Sequence, residues 1–412
     1  MTLRDDALKL HLDNNGKIEV KLKVPLANNV DLSLAYTPGV AEPCKDIKEN
    51  EDLSFDYTCR GNTVAVISDG TRVLGLGSIG AAAAIPVMEG KAALFKAFGD
   101  VDACSVCLDT TDKEEFKKTV MILQKNYAGI NLEDIQSPKC YDIEDELKEM
   151  CDIPVFHDDQ HGTAIACLSG VLGGLRYIKK DIKTVKIVVN GCGAAGSAIG
   201  RLLVNMGATD VTMVDRWGAL YDGIEEEQGV KLDRIQKGLS LKTNPNKNKG
   251  TLADVVKGAD VLIGVSAPNV FTKEIIQSMA EKNIVFAMAN PVPETSYAAA
   301  KEAGATIVGT GRSDSPNQVN NVIVFPGVFR GALDVRAKRI TEEMKVAAAY
   351  ALANLIPEEE LREDYVIPSA FDQRVAPTVA AAVAKVAIEQ GLARKIVDPE
   401  VVYQNTAKRI AR

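Results

Sequence analysis

The sequence predicts an α/β fold built as two domains that meet near residue 160. Three observations carry that expectation. At 412 residues the chain exceeds the size at which a single hydrophobic core keeps growing. Short apolar runs rich in β-branched residues alternate with longer amphipathic or Ala-rich stretches, the rhythm of strands joined by crossover helices. Two of those runs lead into a G-x-G-x-x-G turn, at 75–80 and at 191–196, the mark of a strand entering a helix.

Composition narrows the classes of function. Hydrophobic residues make up 46% and charged residues 25% of the chain, as in a globular protein with a sizeable core. A formal net charge of −8 argues against a nucleic-acid binder. No membrane partner is expected either. There is no basic amphipathic stretch of the kind that lies on a membrane, and no apolar run long enough to span one. The start, Met1-Thr2-Leu3-Arg4-Asp5-Asp6, reads as neither a secretory signal nor a transit peptide, so a cytoplasmic location is expected. Eight cysteines, mostly inside apolar runs, fit reduced buried thiols. Cys104 and Cys107 form a C-x-x-C, but residues three apart on a strand face opposite ways. A packed, inert role is expected for them rather than a metal clip.

Residues 17–24 alternate polar and apolar and predict a half-exposed strand. Pro38-Gly39 predicts a tight turn that fixes Tyr36 just before it, either as a core anchor or as a phenol placed for acid catalysis. The run 63–68 is a buried strand that leads through Asp69-Gly70-Thr71-Arg72 into the first glycine turn. An Ala-rich helix interrupted at Pro86 follows, then a new amphipathic helix with Lys91 at its start. Most lysines sit on solvated helix faces, but one on a glycine-lined turn beside acids can lose its water and act as a base.

From 101 to 160 the pattern reads strand, helix (112–127), short strand, acidic helix (142–150) with a solvated face, short strand. The first short strand stops at Glu133-Asp134 and the second at Asp158-Asp159, flanked by His157 and His161. Strands that end in acids deliver them to the carboxyl edge of a sheet, where α/β folds hold ligands. Clustered carboxylates repel one another unless a cation holds them, and an oxygen-rich set suits Mg²⁺ or Mn²⁺.

A long apolar helix over 163–179 leads into the second domain. Strand 185–190 enters Gly191-Cys192-Gly193-Ala194-Ala195-Gly196, then helix 197–206, then strand 211–215. This is a dinucleotide fingerprint in its strand–helix–strand context, so NAD or NADP is expected over Gly191, Gly193, Ala194, Ala195 and Gly196. The three glycines allow a tight turn, close approach of the pyrophosphate, and close packing of helix on strand, while the helix N-terminus supplies positive potential. Asp215, nineteen residues past Gly196, is placed to take the ribose hydroxyls and favours NAD. Arg216 beside it is the feature that would accommodate a 2′-phosphate instead. The first glycine copy lacks a terminal acid and is assigned to packing at the substrate or coenzyme edge. Strands at 261–265, 284–288 and 305–308 continue the rhythm around a polar loop at 240–250. Asn290, Asn320 and Asn321 stand at strand edges, where asparagines either cap turns or contact ligands. Helices over 332–355 and 376–390 close the chain and can wrap back over the first domain.

Several of these segments together resemble the malic enzyme family, in its short bacterial class. They are Tyr36-Thr37-Pro38-Gly39-Val40, Asp69-Gly70-Thr71-Arg72-Val73-Leu74-Gly75, Glu89-Gly90-Lys91 and Asn131-Leu132-Glu133-Asp134, then Phe156-His157-Asp158-Asp159-Gln160-His161-Gly162-Thr163, Asn290-Pro291, and Asn320-Asn321 with Phe325-Pro326-Gly327. The match runs in family order from about residue 33 to 331. It implies a substrate- and metal-binding domain over 1–160 and a Rossmann-type NAD(P)-binding domain with closing helices over 161–412.

The resemblance implies oxidative decarboxylation of L-malate to pyruvate and CO₂, with reduction of NAD(P) and a requirement for Mn²⁺ or Mg²⁺. It implies Lys91 as the base on the C2 hydroxyl, with Asp158 beside it helping to set its pKa. Tyr36 would be the acid that protonates C3, and Glu133, Asp134 and Asp159 the metal ligands. Arg72 would clamp a malate carboxylate, and Asn290 with Asn320 or Asn321 would complete the substrate and nicotinamide contacts. A homodimer is usual for the class. This sequence departs from the larger eukaryotic pattern in its length and in carrying histidines at 157 and 161. Three other readings are open to the sequence: a malolactic-type enzyme that keeps NAD bound and yields lactate, a non-catalytic dinucleotide sensor, and an amino-acid dehydrogenase. Intact Tyr36, Lys91 and three metal-type carboxylates argue against the sensor, and a dehydrogenase of amino acids needs no cation.

Overall fold

The computed structural model describes residues 2–411, and its strands form two separate sheets. The first contains β1 (Thr63–Ser68), β2 (Asp102–Cys107), β3 (Gly129–Leu132) and β4 (Val155–His157), in the order β2-β1-β3-β4, with every pair parallel. The second contains β5 (Lys186–Asn190), β6 (Asp210–Asp215), β7 (Gly218–Ala219), β8 (Val261–Gly264), β9 (Ile284–Ala287) and β10 (Ile307–Thr310). Its order is β10-β9-β8-β5-β6-β7, parallel except for the short β7. Val64, Ala65, Val66 and Ile67 of β1 are all buried, as a continuous apolar run demands of a strand covered on both faces. In the second sheet the chain steps from β5 to β6 on one side and then to β8 on the other. That reversal opens a crevice above the Gly191 turn.

The helix Asp158–Ile178 joins the two sheets and is buried along most of its length. The chain then returns to the first sheet. In the helix Phe325–Asp334, the rings of Phe325 and Phe329 lie 4.6 and 5.2 Å from Phe95 of the helix Ala81–Gly99. No helix among the described residues is long and apolar enough to cross a membrane.

Several expected elements differ. Residues 17–24 pair with no strand; the alternation is present, but Val20 is 98% exposed. Ala81–Gly99 is one helix rather than two. Pro86 falls in its second turn, where it removes one i→i−4 bond without ending the helix, and the Pro86 carbonyl accepts from Lys17 Nζ at 2.9 Å. Lys91 therefore sits in mid-helix, not on a turn. The long helix expected at 332–355 breaks into Phe325–Asp334 and Glu342–Ala353, with Arg336 at φ 48° and Thr341 capping the second piece. Of the cysteines, Cys140, Cys151, Cys167 and Cys192 are buried as expected. Cys44, Cys59 and Cys104 are exposed and Cys107 is half-buried; for Cys104 and Cys107 the reason is that β2 is an edge strand.

Candidate active site

The carboxyl edge of the first sheet gathers the acids. The Glu133 N–H continues the ladder by donating to the Ile67 carbonyl at 2.9 Å. Asp134 then adopts φ 55°, which turns the chain sharply. Its N–H donates to Asp159 Oδ2 at 2.8 Å and its carbonyl accepts from the Arg72 N–H at 2.9 Å. The loops after β1, β3 and β4 are thus stitched together by backbone bonds. Carboxylate oxygens of Glu133, Asp134 and Asp159 come within 4.8 Å of one another. That spacing suits three oxygens around one hard cation.

The electrostatics point the same way. Burial, then the charges of Asp159 and Glu133, push the Asp134 carboxyl up to about 8. Glu133 and Asp159 are raised as well, burial being the largest cause for each. Asp134 Oδ2 is buried without a hydrogen-bond partner. An orphaned oxygen in a repelling acid cluster is what a divalent cation would satisfy, so the donor set fits Mn²⁺ or Mg²⁺.

Lys91 reaches the same point from its helix. Its Nζ lies 2.6 Å from Asp158 Oδ2, 3.0 Å from Glu133 Oε1 and 4.3 Å from the Phe325 ring centroid. Only 8% of the residue is exposed. Burial alone would lower its pKa, but the Asp158 and Glu133 carboxylates outweigh it and hold the ammonium above its ordinary value. Asp158 is fully buried and pushed up to about 7, by burial first, with Glu133 adding to it and Lys91 opposing. A Cβ on Gly162 would fall 1.8 Å from Asp158 Oδ1, so only glycine leaves room for this carboxylate.

Other predicted residues are placed less tightly. The Arg72 side chain is exposed, and its charge acts on Asp159. Asn321 lies near the Asp158 turn, 3.0 Å from the position of a Gly162 Cβ. Asn320 accepts from the Val322 N–H at 2.9 Å and so caps its own turn. Tyr36 is not brought to the cluster: its ring is 67% exposed, and it takes part in none of the cluster's bonds among the described residues.

At the second sheet, Gly191 has φ 116° and a Cβ there would meet the Val265 carbonyl at 2.6 Å, while a Cβ on Gly196 would strike the Gly191 oxygen at 1.8 Å. Gly193 faces open space, and no side chain caps the helix Ala194–Asn205 that starts there. Its first N–H groups are free for a phosphate. Asp215 is held by the Arg216 N–H and by Gln236 Nε2, each at 2.7 Å. The Arg216 guanidinium lies 4.4 Å from the Trp217 ring. A Cβ on Gly75 would meet Pro291 Cδ at 2.7 Å, so the first glycine turn packs against Asn290-Pro291, an edge role of the kind expected.

Sequence reasoning missed two buried acids. Glu294 accepts from the Ser266 N–H at 2.7 Å and the Ala289 N–H at 2.9 Å, tying the turn after β8 to the one that carries Asn290. Glu144, assigned to a solvated face, is 1% exposed. Their sequence neighbours do not mark them, because the groups that bury and hold them come mainly from other elements.

A dinucleotide crevice on one sheet and a carboxylate cluster holding a buried lysine on the other define a two-domain, dinucleotide-dependent oxidoreductase. Residues 15–122 match the family model for the malic enzyme N-terminal domain, and 160–388 that for the malic enzyme NAD-binding domain. The chain belongs to the malic enzyme family. It is 55% identical over 408 residues to the bifunctional malic/malolactic enzyme of Bacillus subtilis, covering 99% of this chain and 98% of that one. It is 49% identical to the NAD-dependent malic enzyme of Geobacillus stearothermophilus, over 96% and 81% of the two chains. The crystal structure of malic enzyme from Pyrococcus horikoshii superposes with a TM-score of 0.94 at 45% identity, covering 100% of this chain and 96% of the other.

Proposed function

We propose that this malic enzyme oxidises L-malate at C2 and releases its C4 carboxylate as CO₂, with Lys91 and Asp158 as the proton-handling pair. The observation that carries the reading is Lys91 Nζ held at 2.6 and 3.0 Å by Asp158 and by Glu133, the latter a member of the three-carboxylate cluster. When bound by Glu133, Asp134 and Asp159, Mn²⁺ or Mg²⁺ supplies Lewis acidity at the C2 oxygen and an electron sink for loss of CO₂. With Glu133 committed to a cation, Asp158 alone holds the Lys91 proton. The Lys91–Asp158 pair then takes the substrate's hydroxyl proton between them. A bound nicotinamide would accept the C2 hydride. The C3–C4 bond would then break, CO₂ would depart, and the enolate of pyruvate would take a proton at C3 from Tyr36. Arg72 is free to fork onto a malate carboxylate. Asn290 and Asn321 stand at the edges facing substrate and nicotinamide, while Asn320 shapes the turn between them.

NAD is the preferred coenzyme. Gln236 and a backbone N–H fix the Asp215 carboxylate where the ribose hydroxyls belong, and Arg216 stacks on Trp217 rather than answering a 2′-phosphate. The working unit is a homodimer. Val20, Val30, Leu34 and Tyr36 are each exposed by 67% or more, an apolar row that a second copy would cover. The similarity to a bifunctional malic/malolactic enzyme favours a second reading, in which some turnover ends in lactate.

Incubation with L-malate and Mn²⁺, with NAD or NADP, followed at 340 nm and by assay of pyruvate and lactate, separates these. Expected are EDTA-sensitive formation of reduced coenzyme and pyruvate, faster with NAD, and a fall in kcat of about 10²–10⁴ in Lys91→Ala with NADH binding unchanged. Lactate without net reduced coenzyme would establish the malolactic reading. Full turnover in Lys91→Ala would sink the assignment of the base.

A further inference from the structure

Glu144 belongs to the helix Lys139–Met150, yet it points inward and grips the start of the helix that carries Asp158 and the metal carboxylate Asp159. Its Oε1 accepts the His157 N–H at 3.0 Å, and its Oε2 accepts from Gln160 Nε2 at 3.0 Å and His161 Nε2 at 2.8 Å. The helix Asp158–Ile178 has no side-chain cap from its own preceding residue, so an acid from another helix does that work. The three gripped groups bracket Asp158 and Asp159, one just before them and two just after. Neither acid can shift without straining these bonds.

The grip continues outward on both sides. Lys345 Nζ lies 3.0 Å from His161 Nδ1 and 2.6 Å from Glu342 Oε1. A single neutral tautomer of His161 then satisfies both neighbours, donating from Nε2 to Glu144 and accepting at Nδ1 from Lys345. Burial works against the Glu144 charge, but the His161 N–H, Lys148 and Lys345 hold that carboxyl well below its ordinary value. On the other side, Arg201 donates to Gln160 Oε1 at 3.1 Å. Arg201 sits on the helix Ala194–Asn205, which begins at the dinucleotide turn.

We propose that Glu144 is a positioning residue for the metal carboxylate Asp159 and for Asp158 beside it, and that the Gln160–Arg201 contact links it to the coenzyme helix so that metal and coenzyme bind cooperatively. The inference rests on the metal site proposed above. A coenzyme pyrophosphate at the N-terminus of the Arg201 helix fixes that helix. Through Gln160 and Glu144 it fixes the first turn that presents Asp158 and Asp159. Each ligand then removes freedom that the other would otherwise have to remove, which is positive coupling.

The test is Mn²⁺ affinity of the full chain, read from the free-ion electron paramagnetic resonance signal, without coenzyme and with saturating NADH. Wild type should tighten by about fivefold or more when NADH is present. Glu144→Gln should weaken Mn²⁺ binding by about tenfold or more. Arg201→Met should bind Mn²⁺ within about twofold of wild type without coenzyme but lose the NADH-linked tightening. A purely structural role for Arg201 would not move that difference. If Glu144→Gln fails to fold, Gln160→Leu removes one donor and cuts the link without burying a charge, and it too should lose the tightening. Wild-type affinity in Glu144→Gln, or tightening retained in Arg201→Met or in Gln160→Leu, overturns the inference. No tightening in wild type overturns the coupling. No Mn²⁺ binding by wild type at all would overturn the metal site itself, a different failure.

Discussion

Asp134 carries the clearest consequence of a single residue's surroundings. Its pKa of about 8 stands far above the ordinary 3.8. Between those values the metal-free folded chain holds a proton that the unfolded chain has released, so this group makes stability fall as pH rises through that window. A cation takes the proton's place. The rise in Tm on adding Mn²⁺ should therefore be larger at pH 8 than at pH 6, checked by thermal melts with and without the metal; an equal rise at both would argue against Asp134 as a ligand. The acid pairs at 133–134 and 158–159 were legible in the sequence because each ends an apolar run. The protonated state of Lys91 was not, since it depends on Asp158 and Glu133 converging on its Nζ from separate loops. Glu144 was misread for a related reason. An acid in a charged helical stretch looks solvated until Lys148, His161 and Lys345 are seen to surround it.

At the scale of elements, the helix Asp158–Ile178 does two jobs, presenting acids at its first turn and burying its apolar body between the sheets. Gly162 reconciles them by leaving room for Asp158. Gly162→Ala would force a methyl to within 1.8 Å of Asp158 Oδ1, and no such contact survives without movement. The variant should lose about 1–3 kcal/mol of stability in urea melts and most of its kcat, because Asp158 must swing away from Lys91. Wild-type kcat in a stably folded Gly162→Ala would show that the Lys91–Asp158 pair is not needed. Elements closed by local pattern were read correctly: β1, the 191–196 turn and β6 all carry continuous apolar runs or fixed glycine spacing. Elements whose form depends on what lies next to them were not. Residues 17–24 have a strand's alternation but no partner strand, and Pro86 removes one hydrogen bond without ending its helix.

The whole molecule raises the question of Tyr36. Within one protomer its ring is exposed and outside the cluster's bonds, yet protonation at C3 needs an acid on the face of the substrate away from Lys91. A twofold dimer that covers the exposed Tyr36 would let it serve its partner's Lys91. Mixed dimers decide the matter. Tyr36→Phe and Lys91→Ala are each expected to be nearly inactive alone. Unfolded together and refolded as an equal mixture, half of the dimers would be hybrids, and each hybrid would hold one site with an intact Lys91 and an intact partner tyrosine. If the sites are shared, about a quarter of wild-type activity should return. If Tyr36 serves the Lys91 of its own chain, every site in every dimer lacks one of the two groups and the mixture stays inactive. An affinity tag on one variant, with mass spectrometry of the captured dimers for both chains, separates that outcome from a failure to form hybrids.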